Sequence, residues 1–195
     1  TAYEIGVRLV GSEMCIRDSY ISADQCGHVF EILLETAQNL EAKLCGMHVM
    51  DSCRIEKAYR HFGHDITCED HILEAGLGFA VNIEKNDFIG KEAVIRKKEN
   101  GLEKRLLQFR LTDPDPLLYH NEPILRDGEV VGYLSSGAYG HHLKAAIGLG
   151  YVPCKGEKVE QLLGSTYEID VAGNTVPAEV SIRPMYDPDS QLLKV

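Results

Sequence analysis

The second half of the chain alternates short apolar segments with tight turns, and this pattern restricts the fold more than any other feature. Asp127-Gly128 is typical of a two-residue hairpin turn, and Ala172-Gly173-Asn174 supplies a second tight turn. We predict strands at residues 106–111, 123–126, 129–134, 146–152, 166–171 and 175–182. Short strands at near-regular spacing indicate an antiparallel barrel or sandwich.

The first half is patterned for helices instead. Residues 22–40 predict a helix in which Ser22 and Gln25 have capping-box spacing. Its apolar residues recur at helical intervals and predict a buried stripe of Val29, Ile32, Leu33, Ala37 and Leu40. A second helix is predicted at 47–59, ending near Gly63 with a left-handed cap. Its predicted inner positions are Val49, Met50, Cys53 and Ala58.

Between the two halves we predict a short strand at 79–83, a helix at 91–98 and a boundary at Asn100-Gly101. The length of 195 residues allows one domain or two small ones. A net charge of −10 argues against non-specific nucleic-acid binding, which depends on Lys and Arg. The longest uncharged apolar runs, such as 145–152, are too short to span a membrane. The six cysteines form no C-x-x-C motif and are interpreted as reduced thiols.

The second helix carries the first candidate functional residues. Glu56 and Arg60 have the spacing of a surface ion pair on one helix face. Arg54 points elsewhere, and an arginine on an apolar stretch needs an acidic partner from the protein or from a ligand. His61, His64 and Asp65 follow, where cationic side chains suit the carbonyl end of a helix.

Residues 137–142 form a second candidate, because two glycines flank Tyr139 and two histidines follow. We predict a flexible loop here, either facing a ligand or partner or serving as an ordinary turn. Adjacent histidines on a strand point to opposite sides, which argues against one shared metal ion. The sequence predicts no catalytic nucleophile and no metal site.

Several segments together resemble the glycine-cleavage T-protein (aminomethyltransferase) superfamily. Residues 54–66 read Arg-Ile-Glu-Lys-Ala-Tyr-Arg-His-Phe-Gly-His-Asp-Ile, and 74–79, 88–93, 136–140 and 148–152 follow in family order. The sequences of residues 60–66, 117–124 and 183–188 resemble the C-terminal folate-binding half of dimethylglycine and sarcosine dehydrogenases. The resemblance covers about residues 20–195.

This resemblance implies an α+β fold: the rear part of the T-protein middle lobe followed by an antiparallel C-terminal β-barrel. Residues 20–101 would be a partial folate-binding domain, and residues 102–195 the barrel domain. The expected protein is a C-terminal fragment of an FAD-dependent enzyme whose tetrahydrofolate captures the one-carbon unit released by N-demethylation. The FAD site would lie in the missing N-terminal part, so the fragment alone is expected to be inactive.

The expected partners are folate, an N-methyl amine and the parent's own flavin domain, with no nucleic acid and no membrane. The implied location is the bacterial cytoplasm or the mitochondrial matrix. Two alternatives stay open. One is a free-standing aminomethyltransferase that works with a lipoyl carrier protein and needs no flavin. The other is a non-catalytic regulatory relative of the same fold.

The resemblance also suggests ligand-binding residues. Arg54 matches the arginine that binds the folate glutamyl tail, and Tyr139 lies in the glycine-flanked segment. Tyr186 is the candidate for an aromatic ligand contact near the C-terminus. Glu13 is the candidate for the glutamate that reads the pterin, although Ser12 offsets it from the motif. Residues 1–19 resemble translated sequencing-adapter sequence, and we predict that they are not native.

Overall fold

A computed structural model describes residues 20–193, and its second half is a closed barrel of six antiparallel strands. The strands are β1 (Lys104–Leu111), β2 (Pro123–Arg126), β3 (Glu129–Gly140), β4 (Ala145–Pro153), β5 (Tyr167–Val171) and β6 (Asn174–Ser181). Around the barrel they follow the order β1-β4-β3-β2-β5-β6. The predicted antiparallel β-barrel is therefore confirmed, whereas residues 1–19 and the candidate Glu13 lie outside the described residues.

Two hairpin turns occur where the sequence predicted them. Asp127 and Gly128 have φ values of 53° and 86°, and Ala172 and Gly173 have φ values of 52° and 87°. Positive φ at both central residues matches the right-handed twist of paired strands, which is why a glycine occupies the second position. β3 is longer than predicted and continues to Gly140, so residues 137–140 belong to a strand and not to a flexible loop.

The barrel interior is packed with apolar side chains from all parts of the sheet. Phe109, Leu111, Ile124, Leu134 and Ile169 are fully buried there. The six-residue helix α4 (Val159–Gly164), which the sequence analysis missed, adds Leu162 to this cluster. Burial of such side chains stabilises a fold by roughly 1.5–3 kcal/mol each.

Within the described residues, three α-helices precede the barrel: α1 (Cys26–Ala37), α2 (Met47–Glu56) and α3 (Lys91–Asn100). α1 begins after a 3-10 turn, Ala23–Gln25, and is followed by another, Gln38–Leu40. Ser22 makes no side-chain cap in the described chain; its carbonyl accepts the N–H of Gln25. The predicted buried stripe is wrong, because no described residue covers it: Leu33 is 59% exposed.

α2 packs against the barrel strand β3. Ser52, Ile55 and Glu56 are buried, whereas the predicted inner residues Val49 and Met50 are exposed. The helix also ends earlier than predicted, at Glu56. The first left-handed residue after the helix is Ala58, with φ 51°; Gly63 also has a positive φ, 94°, but lies beyond the helix end.

The region between α2 and the barrel contains one wrong and one confirmed prediction. Residues 79–83 are not a strand; a 3-10 turn, Gly78–Ala80, occupies part of the segment and Phe79 is 86% exposed. The apolar residues at 79–83 alternate, but in the described chain no strand pairs with them. The predicted helix at 91–98 is α3, and the assignment of residues 20–101 and 102–195 to separate domains stays a prediction.

None of the helices between residues 20 and 193 has the length and apolar character needed to cross a membrane.

Candidate functional site

A cavity of about 480 Å³ lies where α2 meets β3, which is within the range of small-molecule sites. Three stretches of chain form its walls: α2 from His48 to Arg54, residues 117–120, and β3 from Ser135 to Tyr139. His64 and His141 complete the lining. Arg54 and Tyr139, two of the four predicted ligand-binding residues, are therefore brought to the same cavity.

The Arg54 guanidinium is fixed in place by four acceptors. Its Nε donates to Asp51 Oδ1 at 2.8 Å, one helical turn earlier. Nη1 donates to Asp65 Oδ2 at 2.7 Å and to the Tyr59 carbonyl at 3.2 Å. Nη2 donates to Ser136 Oγ at 2.9 Å, which joins α2 to β3. The acidic partner that the sequence required thus comes from the protein, as Asp51 and Asp65.

One Nη2 N–H of Arg54 has no acceptor among residues 20–193, because a guanidinium carries five N–H donors and four are used. The side chain is 14% exposed and lines the cavity. Its carboxylate partners hold the guanidinium in one orientation with a donor left over. Such an arrangement is suited to one further anionic acceptor, such as a ligand carboxylate.

Asp65 is the buried carboxylate of this hydrogen-bond network. It is 1% exposed, and it accepts hydrogen bonds from Arg54, from the His61 backbone N–H at 2.9 Å and from the Ser135 hydroxyl. The sequence placed Asp65 beside a helix end without giving it a role. The hydrogen bond between Asp65 and Ser135 joins residues that are 70 positions apart in the chain. No local sequence pattern could therefore identify Asp65 as part of the site.

Tyr139 is oriented from both ends. Its carbonyl accepts the Ser52 hydroxyl at 2.6 Å, and its ring and the His141 ring form a T-shaped pair with centroids 5.2 Å apart. Tyr186 lies elsewhere: its ring stacks on His142 at 4.3 Å, and it is not one of the described residues that line the cavity. Tyr119 and His120 do line it, although the sequence analysis did not select them as site residues.

The predicted surface ion pair between Glu56 and Arg60 is wrong. Glu56 is buried and accepts the backbone N–H groups of His142 and Leu143. Arg60 donates instead to the carbonyls of Ala75 and Ala58, and burial lowers its pKa. α2 ends at Glu56, so Arg60 lies beyond the helix and the two side chains do not share a helix face.

A second cavity of about 720 Å³ adjoins the first at His64, His120 and Ser135. The Tyr151 hydroxyl in its wall is buried and has no hydrogen-bond partner among the described residues. Burial raises the pKa of the Tyr151 phenol above its ordinary value. Within residues 20–193, no group of three or more His, Cys, Asp or Glu could hold a metal ion.

Two family models match successive parts of the chain. The model of the GCVT N-terminal domain matches residues 19–85, and that of the glycine cleavage T-protein C-terminal barrel domain matches residues 104–187. The chain belongs to the glycine cleavage T-protein superfamily. The fold agrees, because the aminomethyltransferase T of the glycine cleavage system from Bartonella henselae superposes with a TM-score of 0.70 at 20% identity. That superposition covers 83% of this chain and 45% of the aminomethyltransferase.

Curated members of the superfamily include both oxidases and aminomethyltransferases. The chain is 37% identical over 194 residues to 4-methylaminobutanoate oxidase (formaldehyde-forming) from Paenarthrobacter nicotinovorans, covering 99% of this chain and 23% of the oxidase. It is 38% identical over 133 residues to an aminomethyltransferase from Halothermothrix orenii, covering 68% and 37%. Human mitochondrial dimethylglycine dehydrogenase is 32% identical over 158 residues, with 80% and 18% covered. The chain therefore spans less than half the length of each of these relatives.

Proposed function

We propose that this chain is the folate-binding C-terminal part of an FAD-dependent enzyme resembling dimethylglycine and sarcosine dehydrogenases. In the parent enzyme, tetrahydrofolate captures the one-carbon unit released when an N-methyl amine is oxidised. The observation that carries the proposal is the geometry of Arg54: two carboxylates fix its guanidinium beside the cavity, and one N–H has no acceptor among residues 20–193. The glutamyl tail of folate supplies the carboxylate that this donor would bind.

The cavity has the properties that folate requires. Its volume suits a ligand of this size, and the ring of Tyr139 and the apolar Leu117 and Ala138 accompany Arg54 in its walls. When bound, tetrahydrofolate supplies the nitrogen atoms that accept the one-carbon unit. The residues of this chain bind its tail, orient it and limit the access of water.

The oxidase relative supports the dehydrogenase-like parent in particular. Its similarity extends over 194 residues of this chain, and its name states that it forms formaldehyde. Formaldehyde is the one-carbon unit that condenses with tetrahydrofolate. In this proposal the FAD lies in the remainder of the parent, and the partners of the module are that flavin domain, folate and the amine.

A free-standing aminomethyltransferase is the second candidate, favoured by the 38% identity to the Halothermothrix orenii protein. The coding sequence upstream of Thr1 distinguishes the two. A flavin-binding G-x-G-x-x-G segment after a strand supports the dehydrogenase-like parent. A start codon directly before the first T-protein lobe supports the aminomethyltransferase.

The direct test is a titration of tetrahydrofolate into the wild-type chain and into Arg54→Lys. Lysine keeps the charge but loses the planar fork, so we expect binding to weaken by about 1–3 kcal/mol. Arg54→Ala would also leave the buried Asp65 unpaired and lower the melting temperature, which is why lysine is the sharper variant.

Arg126→Lys is the matched control. The Arg126 side chain is also 14% exposed and ion-paired, with Glu157, but it does not line this cavity in the described chain. We expect the control to bind tetrahydrofolate like the wild type. Equal affinity of wild type and Arg54→Lys would reject the tail-binding role of Arg54. Failure of the wild type to bind tetrahydrofolate would reject the proposed function.

A further inference from the structure

The segment 117–122, whose residues 117–120 line the first cavity, is attached to the barrel by packing and by hydrogen bonds. Leu118 is 2% exposed and packs in the barrel core. Asn121 donates its N–H to the Leu134 carbonyl at 2.7 Å, and Leu134 donates to the Glu122 carbonyl at 2.9 Å. The two hydrogen bonds attach the C-terminal end of the segment to β3, and Leu118 anchors its N-terminal part in the core.

Gly137 on β3 allows the segment to approach closely. A Cβ atom at position 137 would lie 2.7 Å from the Tyr119 backbone nitrogen and 2.8 Å from Leu118 Cβ. The same Tyr119 N–H donates to Glu122 Oε1 at 2.9 Å. The main chain of Tyr119 is therefore confined by a strand on one side and a carboxylate on the other.

The side chain of Tyr119 contrasts with this fixed backbone, because it is 66% exposed and lines the same cavity as Arg54. An aromatic ring on a rigid segment gives up little conformational entropy when a ligand packs against it. In folate, the planar aminobenzoyl ring is joined by an amide bond directly to the glutamyl group. A ligand whose glutamyl carboxylate is bound by Arg54 therefore places the aminobenzoyl ring next in order along the cavity.

We propose that Tyr119 stacks on the aminobenzoyl ring of the bound folate. The inference rests on the proposed function and adds a ligand-contacting residue to it. It assigns the aminobenzoyl ring to the wall formed by residues 117–120, and the glutamyl tail to the wall formed by α2.

The test uses two ligands and three variants of the whole chain. The ligands are tetrahydrofolate and 4-aminobenzoylglutamate, which retains the ring and the tail but lacks the pterin; its binding is measured by competition. The variants are Tyr119→Ala, Tyr119→Phe and the control Tyr133→Ala. Tyr133 is 62% exposed and lines only the second of the two adjoining cavities in the described chain. A melting curve for each variant checks that it is folded.

We expect Tyr119→Ala to weaken both ligands by a similar factor of about 5 to 30, the range for loss of an aromatic stacking contact. Tyr119→Phe and Tyr133→Ala should bind like the wild type. The inference is overturned if Tyr119→Ala binds normally, if only tetrahydrofolate is weakened, or if 4-aminobenzoylglutamate does not bind the wild type. Equal losses in the Phe and Ala variants would assign the effect to the hydroxyl group and also overturn stacking. If wild type fails to bind tetrahydrofolate, the proposed function falls and this inference falls with it.

Discussion

Glu56 Oε1 accepts the backbone N–H of His142 at 2.7 Å, across 86 residues of sequence. The same oxygen accepts the N–H of Leu143 at 2.9 Å, and Glu56 is 2% exposed. One buried carboxylate thus connects the end of α2 to the turn between β3 and β4. This connection helps to keep α2, which carries Arg54, against the barrel.

Glu56→Ala should lower the free energy of unfolding by about 2 kcal/mol, because two backbone donors lose their acceptor. Glu56→Gln retains an acceptor oxygen at the same place and should cost less than about 1 kcal/mol. Urea unfolding of both variants and the wild type measures the difference. If Gln were as destabilising as Ala, the carboxylate charge and not the acceptor geometry would be responsible.

Gly137→Ala should destabilise the protein by about 1–3 kcal/mol. The added Cβ would meet the backbone of Leu118 and Tyr119 at 2.7 Å, so the segment must move away from β3. The control is Gly27→Ala in α1, where a Cβ meets nothing within 4 Å of the described atoms. That change should stabilise by about 0.5–1 kcal/mol, because alanine is the better helix former. Thermal melts that showed both alanines to be neutral would contradict this account of Gly137.

Lys57→Met should destabilise the chain by about 2–4 kcal/mol. Lys57 is 1% exposed, and its Nζ donates to the Asp187 carbonyl at 2.6 Å and to Asp187 Oδ2 at 3.2 Å. Methionine keeps the apolar stem but leaves Asp187 without its cation. Hydrogen exchange should therefore accelerate at 185–190, while Lys155→Met, at an exposed site, should change nothing. Unchanged exchange at 185–190 in Lys57→Met would show that this ion pair does not hold the C-terminal segment.

Glu74 should contribute to acid stability. Burial alone would raise the pKa of this carboxyl, but hydrogen bonds from Lys97 and from the N–H groups of Glu103 and Lys104 outweigh it and lower the pKa. A lowered folded-state pKa stabilises above the unfolded value of about 4.3, and that contribution is lost as the pH falls through the folded value.

The stability difference between wild type and Glu74→Gln should therefore be constant above about pH 5 and should shrink below about pH 4.3. Unfolding by urea at a series of pH values measures this difference. Glu84→Gln, at an exposed turn, is the control and should show no such change. A difference that stayed constant down to pH 3 would contradict the assigned pKa shift.

The structure brings the predicted site residues Arg54 and Tyr139 to one cavity, and their role in ligand binding stays a prediction; the sequence did not select Tyr119 or Asp65. Arg54 was identified because a charged residue on an apolar stretch needs a partner, which is a local signal. Asp65 and Tyr119 gain their positions from contacts with β3, which no spacing within their own segments records. Tyr186 is a candidate by resemblance alone; its ring stacks on His142, and its contact with a ligand stays a prediction.

Elements whose cause is local follow from the amino-acid sequence alone. The hairpins at Asp127-Gly128 and Ala172-Gly173 follow from backbone angles that glycine accepts, and alternating residues bury one face of part of β3 and of β5. Tertiary structure decided which face of α2 is buried, why residues 79–83 form no strand, and which groups surround Arg54. Helix faces and strand pairs are stabilised by partners far away in the chain. Which face is buried and which strands pair therefore depends on tertiary packing, which local periodicity does not contain.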